Sequence, residues 1–373
     1  MLSTATATTT NEASPPGYPI DACSILAKTL PGNVNFPNST MYIQENIYWS
    51  NRQAEVHPQC FVTPRKTADV SVIMKTLTAL NAPFTVKSGG HTAYAGGSNI
   101  ADGVTVDLIH LTDIIVSKDH QTVSVGPGNR WINVSQALDP LKLAVVAGRV
   151  SDVGVGGLIL GGGISYFSGS RGWACDNVRN FEVVLASGQV VNASPTQNTD
   201  LFWGLRGGAG ANFGIVTRFD LVAFPQGDLW SQSIIFPGAA NKTLIPLFTD
   251  LAQKGLVQDP KAHTYFVQAY TAQFGGFITL GSFFHAQPPP KDTVPAVFQP
   301  FQSVHGALLN STQVVNISTQ SIAINEPYGL RQTWWDTSVS MSSSDFLEEI
   351  TSLWQQFVLG TVHAANGSSF LPF

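Results

Sequence analysis

The run Lys87-Ser88-Gly89-Gly90-His91-Thr92-Ala93-Tyr94-Ala95-Gly96-Gly97-Ser98 constrains the fold more than any other stretch, because its glycines surround one imidazole between two strand-like segments. Phe84 to Lys87 precedes it, and Val104 to Leu108 follows. Glycine reaches positive φ and lets a backbone approach a ligand without Cβ clashes. Consecutive N–H groups in such a turn form an anion nest suited to a diphosphate, with His91 at its edge. A plain turn carrying a hydrogen-bonding histidine fits the same residues, so the remainder of the chain has to decide.

A second glycine block, Val153 to Ile164, lacks the Lys-Ser/Thr ending of a nucleotide P-loop and does not fit G-x-G-x-x-G. It reads either as a glycine-rich helix start with N–H groups free for a pyrophosphate, or as close packing of a helix on a sheet. Gly208, Gly210 and Gly214 precede a strand-like run, Ile215 to Phe219, instead of opening a helix, which counts against a Rossmann unit. The chain has no Gly-x-Ser-x-Gly and no His-x-x-x-His pair, which disfavours serine and zinc hydrolases. No metal site is expected.

At 373 residues with 43% hydrophobic and 12% charged side chains, the chain can bury large cores and is long enough for two domains. A net charge of −5 without a Lys/Arg run offers no footprint for nucleic acid or an anionic membrane. No apolar stretch has the length of a membrane span. The N-terminus has neither a basic start nor an apolar core, so no signal peptide is visible. Sequons at Asn38, Asn133, Asn192, Asn241, Asn310, Asn316 and Asn366 nevertheless read as surface positions of a glycoprotein in the secretory pathway or outside the cell. Of the 3 cysteines, Cys23 and Cys60 flank a weakly structured segment, which a bridge would stabilise by roughly 3 kcal/mol; two buried free thiols are the alternative.

In chain order, residues 1–19 read as a flexible tail ending near Pro15-Pro16-Gly17, and Ile20 to Leu30 as a short helix. Tyr42 to Trp49 reads as irregular. Val70, Ile73, Met74, Leu77 and Leu80 recur at helical spacing behind a Thr67 or Asp69 cap. Strand Thr122 to Val125 leads into Gly126-Pro127-Gly128 and a helix capped by Asn129. Phe181 to Val191 reads as a hairpin, and Asp200 caps a short helix to Arg206. Asn177 reads as fixing a turn. Beyond Pro225 strand runs alternate with helix candidates Asn241 to Lys254, Ala296 to Phe301 and Ser344 to Val358.

The order Ser88-Gly89-Gly90-His91, Asp107-Leu108, Gly126-Pro127-Gly128, the glycine block 154–163, Asp176-Asn177-Val178, the hairpin, Leu201 to Gly208 and Asn212 to Thr217 resembles the berberine bridge enzyme-like FAD-linked oxidoreductases of the wider vanillyl-alcohol oxidase type. The resemblance implies an α+β fold: a PCMH-type FAD-binding domain of two α/β subdomains over residues 20–225, then a partial substrate domain over 226–373, an antiparallel sheet backed by helices. It implies FAD bonded through His91 to the flavin 8α carbon. It further implies backbone cofactor contacts at Ser88, Gly89, Gly90 and Thr92, at Val153, Gly157, Gly162 and Ile164, and at Gly214 and Val216. The cysteine that many members bond to flavin C6 is replaced by Arg149-Val150-Ser151, so a single link is expected and Cys175 is structural. Gln268 and Tyr270 share one strand face, which either looks toward the flavin or is simply the face of a half-exposed sheet, with Tyr265 opposite unless a bulge intervenes; Tyr265 and Tyr270 are the candidate catalytic side chains. The family pattern continues beyond Phe373, so the catalytic base is left unassigned. The implied reaction oxidises an alcohol or amine carbon of a secondary-metabolite intermediate, by hydride transfer to the flavin with O2 as reoxidant. A flavin-binding but non-redox cyclase or scaffold is the alternative.

Overall fold

Two sheets hold the glycine-rich turn. Strands β1 (Val34–Asn35), β2 (Cys60–Val62), β3 (Phe84–Lys87) and β4 (Val104–Asp107) are ordered β1-β2-β4-β3, with β2, β4 and β3 parallel. In this computed structural model the described residues are 18–208, 212–334 and 343–364. The expected tail before Tyr18, Gly210 and the sequon at Asn366 lie outside them.

The helix Thr67–Ala79 buries Val70, Ile73, Met74 and Leu77, as the spacing requires, in one cluster with Cys60, Val62, Val104 and Val106. Each such side chain stabilises the fold by roughly 1.5–3 kcal/mol when fully buried. The cap differs from expectation. Asp69 Oδ2 accepts the Arg65 N–H at 2.9 Å, whereas Thr67 donates its hydroxyl to Glu182. Tyr42 to Glu45 is helical, not irregular, because Ser39 caps a helix over Thr40–Glu45 by accepting the Tyr42 N–H.

Cys23 and Cys60 are disulfide-bonded, joining the helix Tyr18–Thr29 to β2 inside the same core. With a sequence separation of 37, loop closure predicts that Cys23→Ser costs about 3–4 kcal/mol in the unfolded-state model. Urea unfolding of the oxidised protein and the variant measures this, and coincident midpoints would remove the bridge from the account of stability.

A second, antiparallel sheet takes β5 (Ile114–Val116), β6 (Thr122–Val125), β8 (Val178–Val184), β9 (Val190–Ala193) and β10 (Ile215–Val222) in the order β5-β6-β10-β8-β9. Here β7 (Leu143–Ala144) pairs with β11 (Phe224–Pro225). The helix Trp131–Leu138 starts from Arg130, whose backbone N–H donates to Asn133; Asn129 instead donates to the Gly126 and Asp113 carbonyls. The helix Thr199–Leu205 starts at Asn198, with Asp200 in its first turn. Asn177 fixes its turn as expected, donating to the Arg171 and Trp173 carbonyls.

The third sheet is wholly antiparallel, β13-β14-β12-β15, from β12 (Leu229–Pro237), β13 (Ala262–Thr271), β14 (Gly276–His285) and β15 (Leu309–Val315). Strand alternation divides it between two cores. Phe283 and Phe266 pack with Leu244, Leu251, Phe298 and Phe301 under the helices, while Phe284 and Tyr265 join the core of the N-terminal half. One face of this sheet therefore packs on the helices that follow it and the other on the N-terminal half of the chain. The Asn241 side chain is buried and accepts the Thr279 hydroxyl at 2.5 Å, so this sequon is not a surface position. Among the described residues no helix is long and apolar enough to cross a membrane.

Candidate cofactor and substrate site

The glycine turn leaves β3 through a buried ion pair. Lys87 and Asp107, register partners at the ends of β3 and β4, meet at 3.0 Å with side chains 5% and 0% exposed. Lys87 also donates to the Glu45 carbonyl and lies 4.4 Å from the Tyr48 ring centroid. Burial raises the Asp107 carboxyl, against the lowering effect of Lys87. Glu45 is raised to about 7, chiefly by burial, with Asp107 adding to it.

Beyond Lys87 the turn crosses the second glycine block at backbone contact. A Cβ on Gly89 would lie 2.4 Å from the Gly154 nitrogen, and one on Gly154 2.3 Å from the Gly89 nitrogen, so neither position accepts a side chain. Ser88 ties the crossing together, donating its hydroxyl to the Pro127 carbonyl at 2.6 Å and accepting the Gly156 N–H at 3.2 Å. Gly156 therefore spends its N–H on protein. A Cβ on Gly157 would instead meet no protein atom, and Gly157 lines a cavity of about 640 Å³, within the range of cofactor and ligand sites.

His91 lines the same cavity and stacks on Trp49, ring centroids 4.3 Å apart and planes 12° from parallel. Its pKa falls to about 4, first because burial disfavours the imidazolium and further because Arg130 is near. At neutral pH the ring is neutral, with a lone pair available. Of the residues the sequence places at the cofactor, Ser88, Gly89, Gly90, His91, Thr92, Val153, Gly157 and Val216 line this cavity. Gly162, Ile164 and Gly214 fall outside its lining. Gly214 is glycine for a different reason: φ is +136° and its Cβ would lie 2.6 Å from the Val184 carbonyl oxygen.

Of the two readings of β13, the one that turns Gln268 and Tyr270 toward the flavin fails. Gln268 donates to Thr351 and Tyr270 packs on Phe277, both on the helix-covered side, whereas Tyr265 and His263 face the N-terminal half. Both faces of β13 are covered, so alternation separates them without saying which cover is which. Neither Tyr265 nor Tyr270 lines the cavity. Tyr265 stacks on Phe284 and lies 5.0 Å below the Arg149 guanidinium, which approaches His263 Nε2 at 3.2 Å. Of the stretch Arg149-Val150-Ser151, which holds no thiol, Val150 lines the cavity; Cys175 is buried in the core and is absent from the lining.

Sequence reasoning missed Trp49, Glu326 and Trp334. The last two lie in the segment 324–334, which follows the helix Ile317–Ala323 and returns to the N-terminal half. Gly329 donates to the Trp49 carbonyl, and Tyr94 donates its hydroxyl to the Trp334 carbonyl. Local sequence gives no signal for this return.

An open glycine cradle, a neutral histidine and apolar walls from Trp49, Val150, Leu158 and Leu160 suit a flat, partly anionic cofactor. A family model described as an FAD binding domain matches residues 58–194. The FAD-dependent monooxygenase tpcD of Cochliobolus heterostrophus is 33% identical over 359 residues, covering 91% of this chain and 67% of that protein. In fold the chain is similar to the xylooligosaccharide oxidase of Myceliophthora thermophila, with a TM-score of 0.73 at 24% identity, covering 90% of this chain and 72% of that one. It is likewise similar to berberine bridge enzyme, with a TM-score of 0.62 at 19% identity over 72% of this chain and 55% of that one. The protein is an FAD-dependent oxidoreductase. It belongs to the family of FAD-dependent monooxygenases that includes tpcD, its cofactor is FAD, and its fold is the one seen in xylooligosaccharide oxidase and berberine bridge enzyme.

Proposed function

We propose that the chain tethers FAD through His91 and oxidises an alcohol or amine carbon of a small secondary-metabolite intermediate, with O2 as the terminal acceptor. The observation that carries this reading is the neutral His91 ring, held on Trp49 at the wall of a cavity that glycines keep open. FAD, when bound, supplies a two-electron acceptor for a carbon–hydrogen bond. Ser88 fixes the crossing of the two loops, and Gly157 leaves the space a cofactor needs. Trp49 sets the plane of the imidazole, and Val150 and Leu158 add apolar wall to the same cavity. The lack of a thiol at Val150 supports a single covalent link.

The decisive measurement is mass spectrometry of the tryptic peptide containing His91, which should carry the flavin mass. Attachment to apoprotein in air should also keep its pace between pH 8 and pH 5. The sign follows from the base being neutral above a pKa of about 4. An ordinary imidazole, near 6.5, would retain only roughly 3% of its neutral form at pH 5. Acid-stable absorbance near 450 nm records the rate, and a collapse below pH 6.5 would place His91 in contact with water. The monooxygenase name of tpcD favours a second reading, in which the product keeps an oxygen atom from O2; labelling with 18O2 separates the two.

A further inference from the structure

Six of the seven sequons lie among the described residues, and in five of them the fold uses the asparagine amide. Asn133 accepts the Arg130 N–H at 3.0 Å, on a helix that buries Ser135, the hydroxyl of its sequon. Asn316 caps the helix Ile317–Ala323 by accepting the Thr319 N–H at 3.0 Å, and its Ser318 is buried. Asn192 accepts from Asn180 and Asn310 from Gln232, each at 3.0 Å and within a sheet, while Asn241 is buried against Thr279. A bulky group on any of these amides would compete with a protein partner for space.

Asn38 differs. It is exposed in the turn before the helix Thr40–Glu45, and its amide makes no hydrogen bond among the described residues. Its φ of +69° lies in the region that asparagine tolerates better than most side chains. Ser39 is occupied with the backbone, donating to the Phe36 carbonyl at 2.8 Å and accepting the Tyr42 N–H at 3.2 Å, while Thr40 stays exposed. Around the turn Phe36, Met41, Ile43 and Ile47 are between 41% and 62% exposed. Such a concentration of apolar side chains marks surface that something covers. The Cys23–Cys60 disulfide fits folding in an oxidising compartment, where N-glycosylation also takes place.

We propose that Asn38 carries an N-linked oligosaccharide, which covers the apolar surface of the helix Thr40–Glu45 and of the turns on either side of it. In the transfer, Asn38 Nδ2 gives up one hydrogen as a proton and bonds the anomeric carbon of a sugar supplied by a lipid-diphosphate donor. The bond from that carbon to the donor's phosphate oxygen breaks, and the lipid diphosphate leaves with the bonding pair. Nothing is oxidised or reduced. The sugar stands apart from the flavin chemistry proposed above and does not depend on it.

The full chain, secreted by yeast behind a host leader, is treated with peptide-N-glycosidase in H2 18O, which turns a glycosylated asparagine into 18O-labelled aspartate. The tryptic peptide from Thr29 to Arg52 contains a single sequon, so label in it reports Asn38. Label is expected there in most molecules and is expected to be absent from the peptide Phe219 to Lys242, which holds the buried Asn241. Thr40→Ala is the informative variant, because it destroys the sequon and keeps asparagine at a positive φ that would strain glutamine. It should lose the label and bind more of the apolar dye ANS than the glycosylated protein. Enzymatic removal of the sugar from the folded wild type should give the same gain. An unlabelled Thr29 to Arg52 peptide, from secreted protein or, if none leaves the cell, from its membrane fraction, would overturn the proposal. Self-association of that bare protein in sedimentation would then give the apolar surface to a second copy. Equal label at Asn241 would show that the folded surroundings select nothing and would remove the argument for Asn38. Label at Asn38 with no change in dye binding on its removal would overturn the covering role.

Discussion

Replacing His91 with alanine should move all of the acid-stable flavin into the supernatant after precipitation of the protein. The wild-type pellet should remain yellow. The size of the effect follows from the arrangement of the cavity, whose described lining presents one imidazole and no cysteine. Val150 in that lining offers no thiol, and Cys175 is buried and absent from the lining. The variant should still fold, since His91 is only partly buried and its stacking partner Trp49 is held independently through Gly329. Noncovalent FAD should therefore bind to it and leave on gel filtration in denaturant. Pigment that stays with the alanine variant through acid would require another attachment atom and would end the account of His91 as the tether.

That this site can be read from sequence at all reflects how local its chemistry is. Ser88 to Thr92 are contiguous, and the glycines that cross them lie in one further block. Glycine itself is ambiguous in a sequence. Gly157 and Gly214 look alike as letters, yet one opens a cavity and the other allows a positive φ against the Val184 carbonyl. Glu326 is not legible for a stronger reason. The segment Ile324-Asn325-Glu326-Pro327-Tyr328-Gly329 has no periodicity, and its position depends on ties to Ser151, Arg130 and Trp49 that only the folded chain brings together. Strand β15 escapes detection because its residues, Leu309 to Val315, are mostly exposed and show no alternation. In β13 the period of two is present but covered on both sides, which is why the faces separate correctly and their directions do not.

The largest loss of stability is expected from Lys87→Met, which keeps an unbranched apolar stem and removes the charge that faces both the Tyr48 ring and Asp107. Breaking a buried pair from one side costs about 3–5 kcal/mol, because the remaining carboxylate has neither water nor a cation. Asp107 is wholly buried, and its pKa is already raised by that burial with Lys87 in place. Without the lysine it should rise further. The sign of the pH dependence follows: an acid raised in the folded state takes up a proton there before it does when unfolded, so native stability falls as pH increases from about 4 toward the folded value. The variant should accordingly be closer to wild type at pH 5 than at pH 8, as measured by urea unfolding. Its flavin content should fall in parallel, because Ser88 and His91 hang from the end of the strand that the pair anchors. Removing both partners, as Lys87→Met with Asp107→Leu, should recover much of the stability, since neither charge is then left unpaired. If the double variant proves as unstable as Lys87→Met alone, the loss comes from packing around Tyr48, and electrostatics does not govern the anchor.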